Sequence, residues 1–205
     1  MKWKRALAAT IATISSGVVW LNGTVAATAN PDHSSVPTST NASLTCNVAP
    51  VDSQATAQAR NILCYLYSQY GNHVLSGQRE TNGSEDEFDY ILSNTGKYPA
   101  IRGMDMCDRP GAIDRALAWW NAGGIPLIGW HVGAPTSTYC DYGGTASIDA
   151  TLTPGTPEYQ SYVAELDAAA SQLLRLQSQG VAVLWAPYHE AGGTWFWWSK
   201  EGGSQ

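Results

Sequence analysis

His189, Glu190 and the run Trp195-Phe196-Trp197-Trp198 fall within ten residues near the end of the sequence. The full stretch reads Tyr188-His189-Glu190-Ala191-Gly192-Gly193-Thr194-Trp195-Phe196-Trp197-Trp198. A glutamic acid can give a proton to a leaving oxygen and later take one from water, which is half of the chemistry of glycoside hydrolysis. Trp and Tyr rings offer flat apolar faces with a polar edge, suited to the C–H faces of sugar rings. The two glycines allow the backbone to turn sharply after Glu190. A buried glutamate bridged within a tryptophan core is the competing reading of the same residues. Composition points the same way as the motif: the 205 residues include 9 Trp and 10 Tyr but only 2 Phe.

The elements that must position these residues follow from periodicity. Ala59, Ile62, Leu63, Leu66 and Tyr70 recur at helical spacing, so a helix should end near Gly71. Val74-Leu75-Ser76 reads as a short strand ending at Gly77-Gln78. Ser84 with Glu87 forms a capping box ahead of Phe88, Ile91 and Leu92. Tyr98 to Met104 is the next strand, ending at Asp105; Ile113, Leu117 and Trp120 then continue a helix that stops at Gly123-Gly124. Ile125, Leu127 and Ile128 form a third strand, ending at Trp130-His131. Thr156-Pro157 is an N-cap followed by proline, opening a long helix whose face carries Tyr159, Tyr162, Val163, Leu166, Leu173 and Leu174. Val181, Val183, Leu184 and Trp185 make the fourth strand, which runs into Tyr188-His189-Glu190.

Four βα units in succession predict an α/β fold with a parallel sheet covered by helices. The strands are apolar runs rather than alternating ones, as expected when both faces are buried. The polar residues gather at strand ends: Gln78, Asp105, His131, His189 and Glu190. Ligand sites lie at that end both in doubly wound sheets and in (β/α)8 barrels. No G-x-G-x-x-G follows a strand, so nothing supports a dinucleotide cofactor.

The residues around Glu190 resemble the acid/base motif of glycoside hydrolase family 26, whose best-known members are endo-β-1,4-mannanases. That motif reads roughly R-P-x-H-E-x-[ND]-G-x-W-F-W-W, and residues 186–198 match it at most positions. Leu75-Ser76-Gly77-Gln78 resembles the family's first strand end, and Gly124-Ile125-Pro126 with Trp130-His131 its third strand. The resemblance covers residues from about 51 to 205 and implies a (β/α)8 TIM barrel. It implies Glu190 as general acid and then general base of a retaining double displacement, with no cofactor and no metal. His189 would orient Glu190, while His131 and Trp195 would contact the sugar at the scissile bond. Trp130 and Trp198 would pack around it, and Asp105 would contact sugar or serve as a structural partner. The implied substrate is mannan, with β-1,3-xylan and mixed-linkage β-glucan as alternatives. Two positions depart from the pattern: Ala186 stands for the usual Arg, and Gly192 for the usual Asn or Asp.

A TIM barrel takes about 250 residues, and residues 46–205 fall well short of that with four strands. They read as an incomplete N-terminal portion of the catalytic domain. The family nucleophile, a glutamate near the seventh strand, has no counterpart here. A retaining pair needs carboxyls about 5–5.5 Å apart, so these residues alone are expected to be inactive or nearly so. A non-catalytic carbohydrate-binding protein is one rival reading. A metal-dependent hydrolase using Asp105, His131 and His189 is another, which the absence of H-x-H and H-E-x-x-H motifs disfavours.

Lys2, Lys4 and Arg5, the weakly apolar run Ala6 to Val19 and Ala27-Thr28-Ala29 predict a secretory signal over residues 1–29. A flexible Ser/Thr/Pro-rich leader follows over residues 30–45. The expectation is a secreted, extracellular monomer with no membrane anchor once the signal is removed. The net charge of -6 excludes a nucleic-acid partner. Four cysteines, Cys46, Cys64, Cys107 and Cys140, favour two disulfides. Three pairings are open; Cys46–Cys64 and Cys107–Cys140 are preferred, the second joining two loops on one face. Asn41-Ala42-Ser43 and Asn82-Gly83-Ser84 are glycosylation sequons, meaningful in a eukaryotic source.

Overall fold

A computed structural model describes residues 46–109 and 111–200. The expected signal and leader lie outside the described residues. The elements alternate as α1 (Ala57–Gln69), β1 (Gly77–Arg79), α2 (Asp86–Thr95), β2 (Ile101–Asp105), α3 (Gly111–Asn121) and β3 (Ile125–Trp130). They continue as α4 (Ile148–Leu152), α5 (Pro157–Ser178), β4 (Leu184–Pro187) and α6 (Trp197–Lys200).

The four strands are parallel and lie in the order β1-β2-β3-β4. A doubly wound sheet reverses its strand order at a switch point. Here each strand pairs with the next in sequence, as in a (β/α)8 barrel, and the sheet is an incomplete portion of one. Gly77 pairs with Ile101, Ile101 with Ile125, and Leu127 with Leu184.

The core sits between the sheet and its helices. Met104, Ile125 and Ile128 from the strands meet Phe88 of α2 and Ala112, Ile113, Ala116 and Trp120 of α3, all buried. The Phe88 and Trp119 rings pack edge to face at 5.4 Å. Thr156 caps α5 as its sequence predicts, its hydroxyl accepting the Tyr159 N–H at 3.1 Å, with Pro157 in the first turn. The disulfides are Cys46–Cys64, which ties the chain ahead of α1 to that helix, and Cys107–Cys140, which joins the loops after β2 and β3.

Several local expectations are corrected. Pairing in β1 begins at Gly77, three residues after the predicted start, and Val74 is exposed. The Ser84/Glu87 capping box does not form. Glu85 holds the N-cap position of α2, the Ser84 hydroxyl accepts the Asp86 N–H at 3.0 Å, and the Glu87 carboxylate is taken by the Thr81 hydroxyl. On α5 the packed face runs through Tyr162, Ala169, Leu173 and Leu176, while Leu166 and Leu174 are exposed. Tyr70 is the C-cap of α1 and exposed rather than part of its buried face.

Candidate active site

Each strand end contributes one polar side chain to a single row. Arg79 closes β1, Asp105 closes β2, His131 follows β3, and His189 lies two residues beyond β4. Asp105 is the hub. Its Oδ2 is shared by the Arg79 guanidinium and the Nδ1 of His131. Its Oδ1 accepts the Cys107 N–H at 2.9 Å and the His131 N–H at 3.5 Å. One carboxylate thus holds both the backbone and the ring of His131. The row continues by an edge-to-face contact between the His131 and His189 rings, with centroids 4.1 Å apart.

Two glycines clear the path for Arg79. A Cβ on Gly103 would lie 3.3 Å from the Arg79 Cα, and one on Gly129 3.0 Å from its Nη1. These positions on β2 and β3 are therefore small where the arginine crosses the sheet toward Asp105.

The electrostatics follow from the row. Burial pushes the Asp105 carboxyl up, but the Cys107 N–H, the His131 hydrogen bond and the charge of Arg79 together bring it below its ordinary value. Asp105 is therefore an ionised acceptor. Burial lowers His189, and the neighbouring charge of Arg79 lowers it further, against a partial offset from Glu190 and Asp105. His189 is therefore held neutral. Beside the row lies a second ion network. Buried Glu80 accepts from Arg102 Nε at 2.8 Å and from Arg115 Nε at 2.9 Å. Arg102 also forks onto Glu85 at 2.6 and 2.8 Å, and stacks 4.4 Å above Phe88.

Glu190 follows β4 in a tightly turned loop. Tyr188 and Glu190 both have positive φ, 51° and 56°, a conformation that costs a residue with a Cβ about 1–2 kcal/mol. Three hydrogen bonds hold it: the Tyr188 hydroxyl to that of Tyr162, Trp198 Nε1 to the His189 carbonyl at 3.2 Å, and the Gly193 N–H to the Glu190 carbonyl at 2.9 Å. Strain sustained by surrounding contacts is common at functional sites. The Glu190 side chain is exposed, and its Oε2 accepts the Trp195 indole N–H at 2.9 Å. Trp195 is itself 56% exposed. Gly193 permits this pose, since a Cβ there would lie 2.5 Å from the Trp195 ring. Phe196 and Trp198 stack at 4.4 Å, and Phe196 reaches the edge of both His131 and His189.

The structure therefore brings together Asp105, His131, His189, Glu190, Trp195 and Trp198. Trp130 is 1% exposed and packs against Trp185 and Tyr188. A cavity of about 710 Å³ opens beside the row, lined by Arg79, Thr81, Asn82, Asp105, His131 and Tyr142 among others. Neither His189 nor Glu190 is in that lining. Sequence reading missed Arg79, the Glu80–Arg102–Arg115 network and Tyr142, whose ring lies 5.0 Å from that of His131. The available signal was the placement of Arg102 inside an apolar strand segment, where a charge requires a partner; Arg79, between Gln78 and Glu80, carries no such signal. Among the described residues no group of three His, Cys, Asp or Glu side chains is arranged to hold a metal ion.

The sequence profile of Glycosyl hydrolase family 26 matches residues 51–205. A Thermothelomyces thermophilus protein named Mannan endo-1,4-beta-mannosidase is 33% identical over 173 residues, covering 72% of this chain and 34% of the relative. A Bacillus subtilis protein of the same name is 31% identical over 177 residues, covering 77% and 49%. Among solved structures, a β-mannanase from a symbiotic protist of the termite Reticulitermes speratus, complexed with gluco-manno-oligosaccharide, superposes with a TM-score of 0.68. It is 29% identical, over 76% of this chain and 56% of that one. A Podospora anserina β-(1,4)-mannanase gives 0.64 at 34% identity, over 73% and 38%. The chain spans about a third to a half of the length of these two curated relatives.

Proposed function

The chain belongs to glycosyl hydrolase family 26, and from that membership and the site's geometry we propose that it serves the retaining hydrolysis of internal β-1,4 linkages in mannan. The observation that carries the reading is the pairing of Glu190 with the indole N–H of Trp195 at the mouth of the sheet. In this reading Glu190 protonates the leaving oxygen and then activates water. The exposed face of Trp195 stacks on a sugar ring, and His131 takes a sugar hydroxyl. His189, held neutral, packs between them without adding charge. The mannanase names of the relatives support mannan over β-1,3-xylan and mixed-linkage β-glucan.

A retaining mechanism also needs a nucleophilic carboxylate about 5–5.5 Å from the acid. The two other buried or half-buried acids of the site are already engaged: Asp105 by Arg79 and His131, Glu80 by Arg102 and Arg115. Neither is free to attack an anomeric carbon. The nucleophile then has to come from a further strand end, and these 205 residues alone are expected to cleave mannan weakly or not at all. The exposure of Trp195 also favours a second reading, in which they bind the polysaccharide without cutting it. The N-terminal signal pattern and the two disulfides support an exported protein, which we take to act as a monomer.

The test is to incubate the 205-residue protein, and a version extended by the downstream reading frame, with β-mannan, β-1,3-xylan and mixed-linkage β-glucan, and to count new reducing ends. Mannan cleavage by the extended protein alone, abolished by Glu190→Gln, supports the proposal. Cleavage that survives Glu190→Gln, or preference for another glycan, counts against it.

A further inference from the structure

Arg79 touches the cavity but has no assigned part in the chemistry. Its guanidinium meets the same Asp105 oxygen that receives His131 Nδ1. Two interior glycines, Gly103 and Gly129, leave the room it occupies. The Arg79 side chain is 45% exposed, yet its guanidinium end is set over two interior glycines and onto a half-buried carboxylate, a course laid down by the strands beneath it.

We infer that Arg79 is a positioning residue: by orienting and neutralising the Asp105 carboxylate it fixes His131 as the Nδ1–H tautomer, leaving Nε2 as a lone-pair acceptor for a sugar hydroxyl. The inference rests on the glycan reading of the site only in naming what Nε2 meets.

The physical argument has two steps. A carboxylate bonded to one imidazole nitrogen dictates which nitrogen carries the proton, and so whether the other nitrogen accepts or donates. A carboxylate alone would do more than that. Its unbalanced charge would favour a second proton on the ring, turning Nε2 from an acceptor into a donor. The guanidinium supplies the balancing charge from the far side of Asp105, so the ring has no need to supply it. The other titratable groups around His131 are His189 beyond β4 and Tyr142 in the loop after β3, with Glu190 next to His189. None of these contacts Asp105 Oδ2 as Arg79 does, so the balance depends on Arg79. The same carboxylate also holds the His131 backbone N–H, which keeps the ring's origin fixed while Arg79 sets its chemistry.

The experiment is 15N–1H correlation spectroscopy of the histidine side chains in the 205-residue protein at neutral pH. The wild type should show His131 with its proton on Nδ1 and a bare Nε2. In Arg79→Met, the ratio of that form to all others should fall by about tenfold, the scale on which a charge at this range moves a protonation ratio. Arg79→Lys should restore much of it, which a purely structural role would not require. A wild-type His131 protonated on Nε2, or an Arg79→Met spectrum unchanged from wild type, overturns the inference. The wild-type spectrum decides the tautomer even if Arg79→Met fails to fold, and Arg79→Gln, which keeps a hydrogen-bond donor without the charge, then decides the charge: an Arg79→Gln spectrum unchanged from wild type overturns the inference. Mannotetraose added to the wild type should shift the Nε2 resonance. No shift there, with the Nδ1–H tautomer intact, would sink the glycan reading and leave the inference standing.

Discussion

Arg102 Nε donates to Glu80 Oε2 at 2.8 Å, and the two side chains are only 5% and 3% exposed. Arg102 stays charged although burial opposes it, because the bonds to Glu85 and Glu80 outweigh that cost. Breaking a buried pair from one side leaves an uncompensated charge. Arg102→Leu should therefore destabilise the fold by about 3–5 kcal/mol, read as a lower urea midpoint. A midpoint within error of wild type would show that Arg115 alone suffices for Glu80.

Gly193→Ala places a methyl group 2.5 Å from the Trp195 ring. The ring must leave its seat on Glu190, while overall stability should change by no more than about 0.5 kcal/mol, since Trp195 is exposed and leaves no core cavity behind. The indole N–H resonance of Trp195 reports this directly. If that resonance stays in place, the Trp195–Glu190 bond does not depend on the glycine.

The Cys107–Cys140 bridge closes a loop of sequence separation 33. Loop-closure entropy for that span gives about 3–4 kcal/mol of stabilisation. The double variant Cys107→Ser/Cys140→Ser should lose an amount of that order in chemical denaturation, and Tyr139 should lose its hydroxyl bond to the Met106 carbonyl. Equal stability of the oxidised protein and the double variant would be the contrary result.

His189 gives the pH dependence a sign. Its folded value is lowered, chiefly by burial, while the unfolded value is about 6.5. Between the two the unfolded chain binds more protons, so stability falls as pH drops below about 6.5 and is unaffected above it. Asp105, also lowered, adds a separate loss at more acid pH, as its carboxylate is protonated. Thermal melts between pH 7.5 and 5 should show a steeper decline for wild type than for His189→Asn. Parallel curves would remove His189 from the account.

The legible parts of the fold were those governed by periodicity and capping. Thr156-Pro157 announced the start of α5 to the residue, and the apolar run at Ile125 located β3. The first strand was misplaced because Val74 and Leu75 are apolar yet precede the ladder. Pairing begins where Gly77 can approach Ile101, a contact that belongs to another strand and leaves no local trace. The site was half legible for the same reason. Strand-end position singled out Asp105, His131, His189 and Glu190, but Arg79, the cation that meets Asp105, comes from another unit of the chain. Trp130 shows a further limit: a tryptophan next to a site histidine looks the same in sequence whether its ring faces outward or, as here, is buried.

The sequential strand order has a consequence for biosynthesis. Among the described residues each strand after the first pairs with the one made just before it, so β1, β2 and β3 need no partner from far along the chain to pair with one another. Gly77 meets Ile101 and Ile101 meets Ile125 at short, equal intervals, whereas Leu127 meets Leu184 only after the bridged loop and α5 have been made. Arg79, Asp105 and His131 can therefore assemble on the nascent chain as a preformed half-site. His189 and Glu190 are translated last of the row, onto a template whose charges are already balanced.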